Sequence, residues 1–192
     1  MEDGVKSILL AGVGGQGIIR ASDVLCLVMM AAGFDVKKSE VHGMAQRGGC
    51  VTSHVRYGKK VYSPLAKKGD VAILVSFEKL ETLRYLDYVE PRGTVIINTE
   101  ELYPPSVNLG QAFYPERIAE IVRQRFANVR VVSAAEIAVR AGNARAANTA
   151  LLGVLSSCLD IPLDIWEGVL REQFPGDAAR QNLDAFHIGR TS

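Results

Sequence analysis

The chain has 192 residues, 48% of them hydrophobic, with 22 basic and 21 acidic residues giving a formal net charge of +1. That length suits one domain of roughly 100–200 residues, large enough to bury about 70% of its unfolded surface without a covalent or metal staple. Charges of both signs are interspersed, which argues against a nucleic-acid footprint and against attachment to an anionic membrane.

Met1-Glu2-Asp3 is acidic where a signal peptide would be basic. The longest apolar run, residues 24–32, is about half of what a bilayer requires. A cytoplasmic location is the expectation. Ser7-Ile8-Leu9-Leu10-Ala11 then reads as a buried strand, and Gly12-Val13-Gly14-Gly15-Gln16-Gly17 follows it directly. This is the G-x-G-x-x-G pattern between a strand and a helix-length segment, residues 18–32, with almost no polar residue after Asp23. Its glycines permit a tight strand-to-helix turn, and the amides at the positive end of the helix dipole suit a phosphate or carboxylate.

Residues 39–49, Ser39-Glu40-Val41-His42-Gly43-Met44-Ala45-Gln46-Arg47-Gly48-Gly49, are the most unusual stretch. Three glycines, an arginine and a histidine crowd a segment too irregular for helix or strand, at a high entropic cost unless the backbone must approach a ligand or another protein. Arg47 adds a forked donor for carboxylate or backbone oxygens. Glu40 lies near the spacing of a ribose-binding acid, but it opens this loop instead of ending a strand that feeds another helix. A dinucleotide site is therefore the secondary reading.

Cys50 closes the loop. Beside Arg47 its thiol would have a lowered pKa. Val51, Ser53, Val55 and Tyr57 alternate with Thr52, His54 and Arg56, as in a half-exposed strand, and Gly58-Lys59-Lys60 turns that strand into Val61-Tyr62-Ser63, which predicts a hairpin or edge ribbon over residues 50–63. Val71-Ala72-Ile73-Leu74-Val75-Ser76-Phe77 is a continuous apolar run, the pattern of a parallel strand covered on both faces. Leu80, Leu83, Leu86 and Val89 recur at helical spacing until Pro91-Arg92-Gly93, and Thr94-Val95-Ile96-Ile97-Asn98 is the next strand. Residues 99–110 hold Pro104-Pro105 and make a long connection whose tip should be a contact surface or a cover. A helix from Pro115 to about Phe126, a strand over residues 129–132 and a helical remainder complete the chain, with Asn143 an N-cap between two of the last helices and Asn148 on the second.

Cys26, Cys50 and Cys158 are far apart with no C-x-x-C pair, so this chain alone lacks the ligands of an iron–sulfur cluster. His42, His54 and His187 form no zinc-type spacing. Alternating strands and helices after a glycine turn predict a three-layer α/β domain spanning residues 1–192: a Rossmann-like, open, mostly parallel sheet with helices on both faces. The glycine turn, residues 39–49, Ser76-Phe77-Glu78 and the connection after Asn98 would share the carboxyl edge of that sheet.

On these residues the chain resembles the gamma-type domain family of the 2-oxoacid:ferredoxin oxidoreductases, and within it the small subunits of the indolepyruvate enzymes. The resemblance is carried by Ala11-Gly12-Val13-Gly14-Gly15-Gln16-Gly17, by residues 39–49, by Tyr62-Ser63-Pro64-Leu65, Phe77-Glu78, Leu83-Arg84-Tyr85-Leu86, Pro104-Pro105-Ser106, by residues 141–148, and by Asn182-Leu183 with Ala185-Phe186. Cys50 departs from it, since a serine is expected there. The resemblance implies a subunit of an enzyme that decarboxylates an aryl 2-oxoacid, joins the acyl group to coenzyme A and passes electrons to ferredoxin. Thiamine diphosphate and 4Fe–4S clusters would lie on a large partner subunit, with no cofactor bound by this chain alone, and a homodimer is compatible with the isolated chain. The ligand- or partner-binding rim would comprise Gly12, Gly14, Gly15, Gln16, Gly17, Glu40, His42, Gly43, Gln46, Arg47, Gly48, Gly49, Asn143 and Asn148. The alternatives are a free-standing NAD(P)-binding Rossmann protein and a regulatory nucleotide- or flavin-binding module.

Overall fold

Strands β1 (Lys6–Val13), β2 (Asp35–His42), β3 (Cys50–Gly58), β4 (Val71–Ser76), β5 (Val89–Asn98) and β6 (Asn128–Val132) form one sheet in the order β2-β3-β1-β4-β5-β6 in the computed structural model, which describes residues 4–43 and 49–192. The pairs β1–β4, β4–β5 and β5–β6 are parallel, and β3 runs antiparallel to both β1 and β2. Five strands therefore point one way, and the mostly parallel α/β sheet read from the sequence is the one observed.

The central strands show why their sequences are apolar throughout. Along β1, Ile8 and Leu10 enter one core while Leu9 and Ala11 enter the other, and all four have zero exposure. On the first face lie α1 (Ile18–Ala31), α5 (Ala134–Arg140), α6 (Ala147–Ser156), α7 (Leu163–Gln173) and α8 (Asp177–Arg190); on the second lie α2 (Lys79–Tyr85) and α4 (Ile118–Arg125). A single turn, α3 (Pro105–Asn108), interrupts the connection after β5. Helix α6 is apolar nearly all round because it is enclosed between the sheet and α8. That crossing depends on two glycines: a Cβ on Gly153 would stand 2.1 Å from the Phe186 carbonyl oxygen, and one on Gly189 would stand 2.2 Å from that of Ala150.

Three local expectations differ from the structure. Residues 39–42 are not the start of an irregular loop but the last four residues of β2, with Glu40 opposite Ser53 and His42 opposite Val51. The edge ribbon exists, but β3 pairs with β2, while Val61-Tyr62-Ser63 forms no strand. Strand β2 escaped notice because Asp35-Val36-Lys37-Lys38-Ser39-Glu40 carries the charges that protect a sheet edge, in place of apolar alternation. Val61 is held instead by its amide donating to Asp35 Oδ2 at 2.8 Å. Finally, α2 ends at Tyr85, a 3₁₀ turn spans Leu86–Tyr88, and Val89 already belongs to β5. Pro91 is tolerated in that strand because the register with β4 jumps from Val71↔Val89 to Ile73↔Thr94, so residues 90–93 owe β4 no hydrogen bond.

Candidate functional site

The carboxyl ends of the five co-directional strands share one edge of the sheet. The glycine turn, Phe77 and the connection after Asn98 meet there. In the glycine turn, Gly17 is the N-cap of α1 with φ 76°, and it supplies no side chain to the first helical turn, which also contains no acidic residue. The amides at this end of α1 thus keep their donor character toward the rim. A Cβ at Gly17 would stand 2.7 Å from Asn148 Nδ2, so the turn and the start of α6 are in direct contact.

Gln16 closes the turn from within. Its Oε1 accepts from the Val13 amide at 2.7 Å, and its Nε2 donates to the Phe77 carbonyl at 2.9 Å and to Glu100 Oε2 at 3.0 Å. Asn98 repeats this pattern from the end of β5: Nδ2 donates to the same Phe77 carbonyl at 2.8 Å and to Glu100 Oε2 at 3.4 Å, while Oδ1 accepts from the Ala134 amide at 3.0 Å. Two side-chain amides therefore fix the ends of β1, β4 and β5 to one another and hold the Glu100 carboxylate between them. Gly14 spends its amide on the Gly49 carbonyl at 3.0 Å, and Gln16 spends its own on Val13 at 3.2 Å. These donors serve the protein, so the turn offers fewer amides than a dinucleotide loop with the same spacing.

A cleft of about 430 Å³ opens over this network. One wall is Gly14, Gly15, Gln16 and Gly17; the other comprises Ala144, Arg145, Ala147, Asn148 and Leu151, with Phe77, Asn98, Glu100 and Leu102 completing it. Two helices, α1 and α6, aim their N-termini at the same space, and Arg145 stands in the 3₁₀ turn that leads into α6. The helix dipoles and the guanidinium favour an anion at that end. Across the cleft, Glu100 opposes a second anion and suits a hydroxyl or amide donor. The arrangement fits an elongated ligand with phosphate at one end and neutral polar groups at the other.

Of the predicted rim residues, Gly14, Gly15, Gln16, Gly17 and Asn148 line this cleft. Gly12 lies beneath it, buried within β1. Asn143 caps the 3₁₀ turn, accepting from the Arg145 amide at 3.0 Å, and so orients Arg145 without lining the cleft itself. Glu40 is 2.6 Å from Lys38 Nζ, and Lys38 also bridges to Asp23 on α1. That ion pair ties the edge strand to the helix, away from the cleft. Gly43 donates its amide to the Cys50 carbonyl at 2.8 Å, whereas Gln46, Arg47 and Gly48 lie outside the described residues. Sequence reasoning missed Asn98, Glu100 and Arg145. Arg145 was signalled by its place between Asn143 and Asn148, but Asn98 and Glu100 carry no local signature.

Cys50 contradicts its sequence-based expectation. Its Sγ lies 2.7 Å from the Tyr85 hydroxyl, and burial pushes the thiol up to about 11 instead of lowering its pKa. Burial likewise raises the pKa of the neighbouring Glu81. Among the described residues, no group of three or more His, Cys, Asp or Glu is placed to hold a metal ion, and no helix is long and apolar enough to cross a membrane.

The whole chain has relatives. Residues 7–192 match the family model of pyruvate ferredoxin/flavodoxin oxidoreductase. The chain is 37% identical to the indolepyruvate oxidoreductase subunit IorB of Pyrococcus horikoshii, over 95% of this chain and 93% of that one. Its fold is similar to that of the pyruvate oxidoreductase subunit PORC of Thermotoga maritima, with a TM-score of 0.74 at 20% identity, covering 98% of this chain and 96% of the other. It is also similar to the 2-oxoglutarate:ferredoxin oxidoreductase of Magnetococcus marinus with 2-oxoglutarate, coenzyme A and succinyl-CoA bound, at a TM-score of 0.72 and 24% identity, covering 99% of this chain but 31% of that one.

Proposed function

We propose, for a chain that belongs to the pyruvate ferredoxin/flavodoxin oxidoreductase family, that it is the small, gamma-type subunit of a cytoplasmic indolepyruvate:ferredoxin oxidoreductase and that its rim cleft seats the phosphate end of coenzyme A. The observation that carries the subunit assignment is the end-to-end similarity to a protein named for that complex. The overall reaction converts the 2-oxoacid, coenzyme A and oxidised ferredoxin into acyl-CoA, carbon dioxide and reduced ferredoxin, with two electrons leaving the carbon that was the keto carbon. Thiamine diphosphate and 4Fe–4S clusters on the large subunit supply the decarboxylation and the electron path, which accords with three cysteines lacking cluster spacing here.

The part left to this chain is binding and orientation. Arg145 and the N-termini of α1 and α6 attract the phosphates; Glu100, held by Gln16 and Asn98, accepts from neutral donors farther along the ligand. A cleft at the rim of one subunit can present a bound thiol to chemistry on the next. Residues 1–192 act as one domain in this role, and ferredoxin meets the complex through the cluster-bearing subunit.

Purification of the chain together with its natural partners tests the assignment. The expected complex contains a large subunit with thiamine diphosphate and iron, and reduces ferredoxin only when indolepyruvate and coenzyme A are both supplied. Ferredoxin reduction by this chain alone, or stoichiometric iron on it, would contradict the assignment, and a large thermal stabilisation by NAD alone would favour a dehydrogenase instead.

A further inference from the structure

The connection after β5 exposes large apolar side chains. Phe113 is 98% exposed, Leu109 70% and Tyr103 52%. Residues 102–115 include no charged side chain, in a chain where 22% of residues are charged. Interface cores show this depletion of charge with enrichment of aromatic and large apolar groups.

The segment is also held rigid. Glu78 Oε1 accepts both the Leu102 amide at 3.2 Å and the Tyr114 hydroxyl at 2.5 Å, so one buried carboxylate clamps the two ends of the excursion. The Tyr103 and Tyr114 rings pack at 5.0 Å across the same neck. Within the tip, α3 is stabilised by the Asn108 side chain donating to the Tyr103 carbonyl at 3.0 Å, and the Gln111 amide returns to Ser106 at 2.8 Å. A closed loop that displays Leu109 and Phe113 on a fixed backbone has its ordering cost met before a partner arrives.

Building on the subunit assignment above, we propose that this arm is the docking element by which the chain engages the large subunit of its complex, with Leu109 and Phe113 entering an uncharged apolar groove on that subunit. The arm adjoins the coenzyme cleft through Leu102, which lines it, so docking there would bring the cleft against the chain that performs the chemistry. In the Magnetococcus marinus enzyme this fold takes up 31% of a longer chain, so there it is joined covalently to the rest of that chain. A second copy of this chain is a poorer occupant: the neighbouring cleft presents Gln16, Asn98, Glu100, Arg145 and Asn148, a polar lining that would not accept Leu109 or Phe113.

The test is assembly of the complex with the L109S/F113S double variant, alongside Met30→Gln, a 60% exposed apolar site at the far end of α1. The affinity of the double variant for the large subunit is expected to fall roughly tenfold or more, with the melting temperature of the isolated chain unchanged and Met30→Gln assembling normally. Normal assembly of the double variant, or an equal loss in Met30→Gln, overturns the docking role while leaving the subunit assignment intact. If the wild-type chain joins no thiamine-bearing subunit, both fall. Self-association of the wild type that the double variant abolishes would give the arm to a second copy.

Discussion

Gly17 ends the glycine turn at a φ of 76°, with Asn148 Nδ2 2.7 Å from where a Cβ would stand. Gly17→Ala must therefore bear the left-handed cost of about 1–2 kcal/mol and also displace Asn148. At roughly 2–4 °C per kcal/mol for a domain near this size, the melting temperature should drop by at least about 2 °C. Gly15→Ala, at φ 103° but with nothing within 4 Å, should lose only the backbone share, so equal losses in the two variants would contradict the contact. Cys50 carries a pH signature. Its thiol is raised from 9.0 to about 11, so the unfolded chain ionises first and stability should fall as pH rises from about 9 toward 11. Alkylation of the folded protein should keep accelerating across that window; a plateau near pH 9 would show an ordinary exposed thiol. The pattern Gly12-Val13-Gly14-Gly15-Gln16-Gly17 made the turn legible from sequence. The role of the Gln16 side chain was not, because it depends on Phe77 and Glu100, 61 and 84 residues away along the chain.

Among elements, those buried on both faces were the most legible. Strands β1 and β4 declared themselves by continuous apolar runs, and α1 by its length and the apolar run that follows Asp23. The edge strand β2 and the proline-containing start of β5 were not, because edge charges and a register shift erase the period that marks a strand. The connection over residues 99–110 stood out in the sequence by its length and its two prolines. Its clamp did not, since Glu78 precedes it by more than 20 residues and doubles as the N-cap of α2, accepting the Glu81 amide at 3.0 Å. Glu78→Ala removes that cap and leaves the Leu102 amide and Tyr114 hydroxyl without their acceptor. A loss of about 2–4 kcal/mol in chemical denaturation is expected, together with faster hydrogen exchange at Leu102. A loss below about 0.5 kcal/mol would place the stability of the arm elsewhere.

For the whole molecule, the sheet topology gathers loops that are remote in sequence onto one edge, and this convergence is where reading from sequence succeeded in outline and stopped in detail. Five co-directional strands place the glycine turn, the end of β2 and the turn after β5 along one edge, as alternating strands and helices imply. The second wall of the cleft comes from α6, whose docking against the glycine turn is set by the Gly17–Asn148 approach and by α8 behind it. In the proposed complex this composite cleft serves the coenzyme and not the oxoacid. That role is tested most directly by steady-state kinetics of the assembled complex carrying Arg145→Ala. Losing one charge-assisted contact of about 1.5–3 kcal/mol should raise the KM for coenzyme A roughly tenfold or more, with the KM for indolepyruvate unchanged; an unchanged KM for coenzyme A, or an equal rise for both substrates, would contradict it.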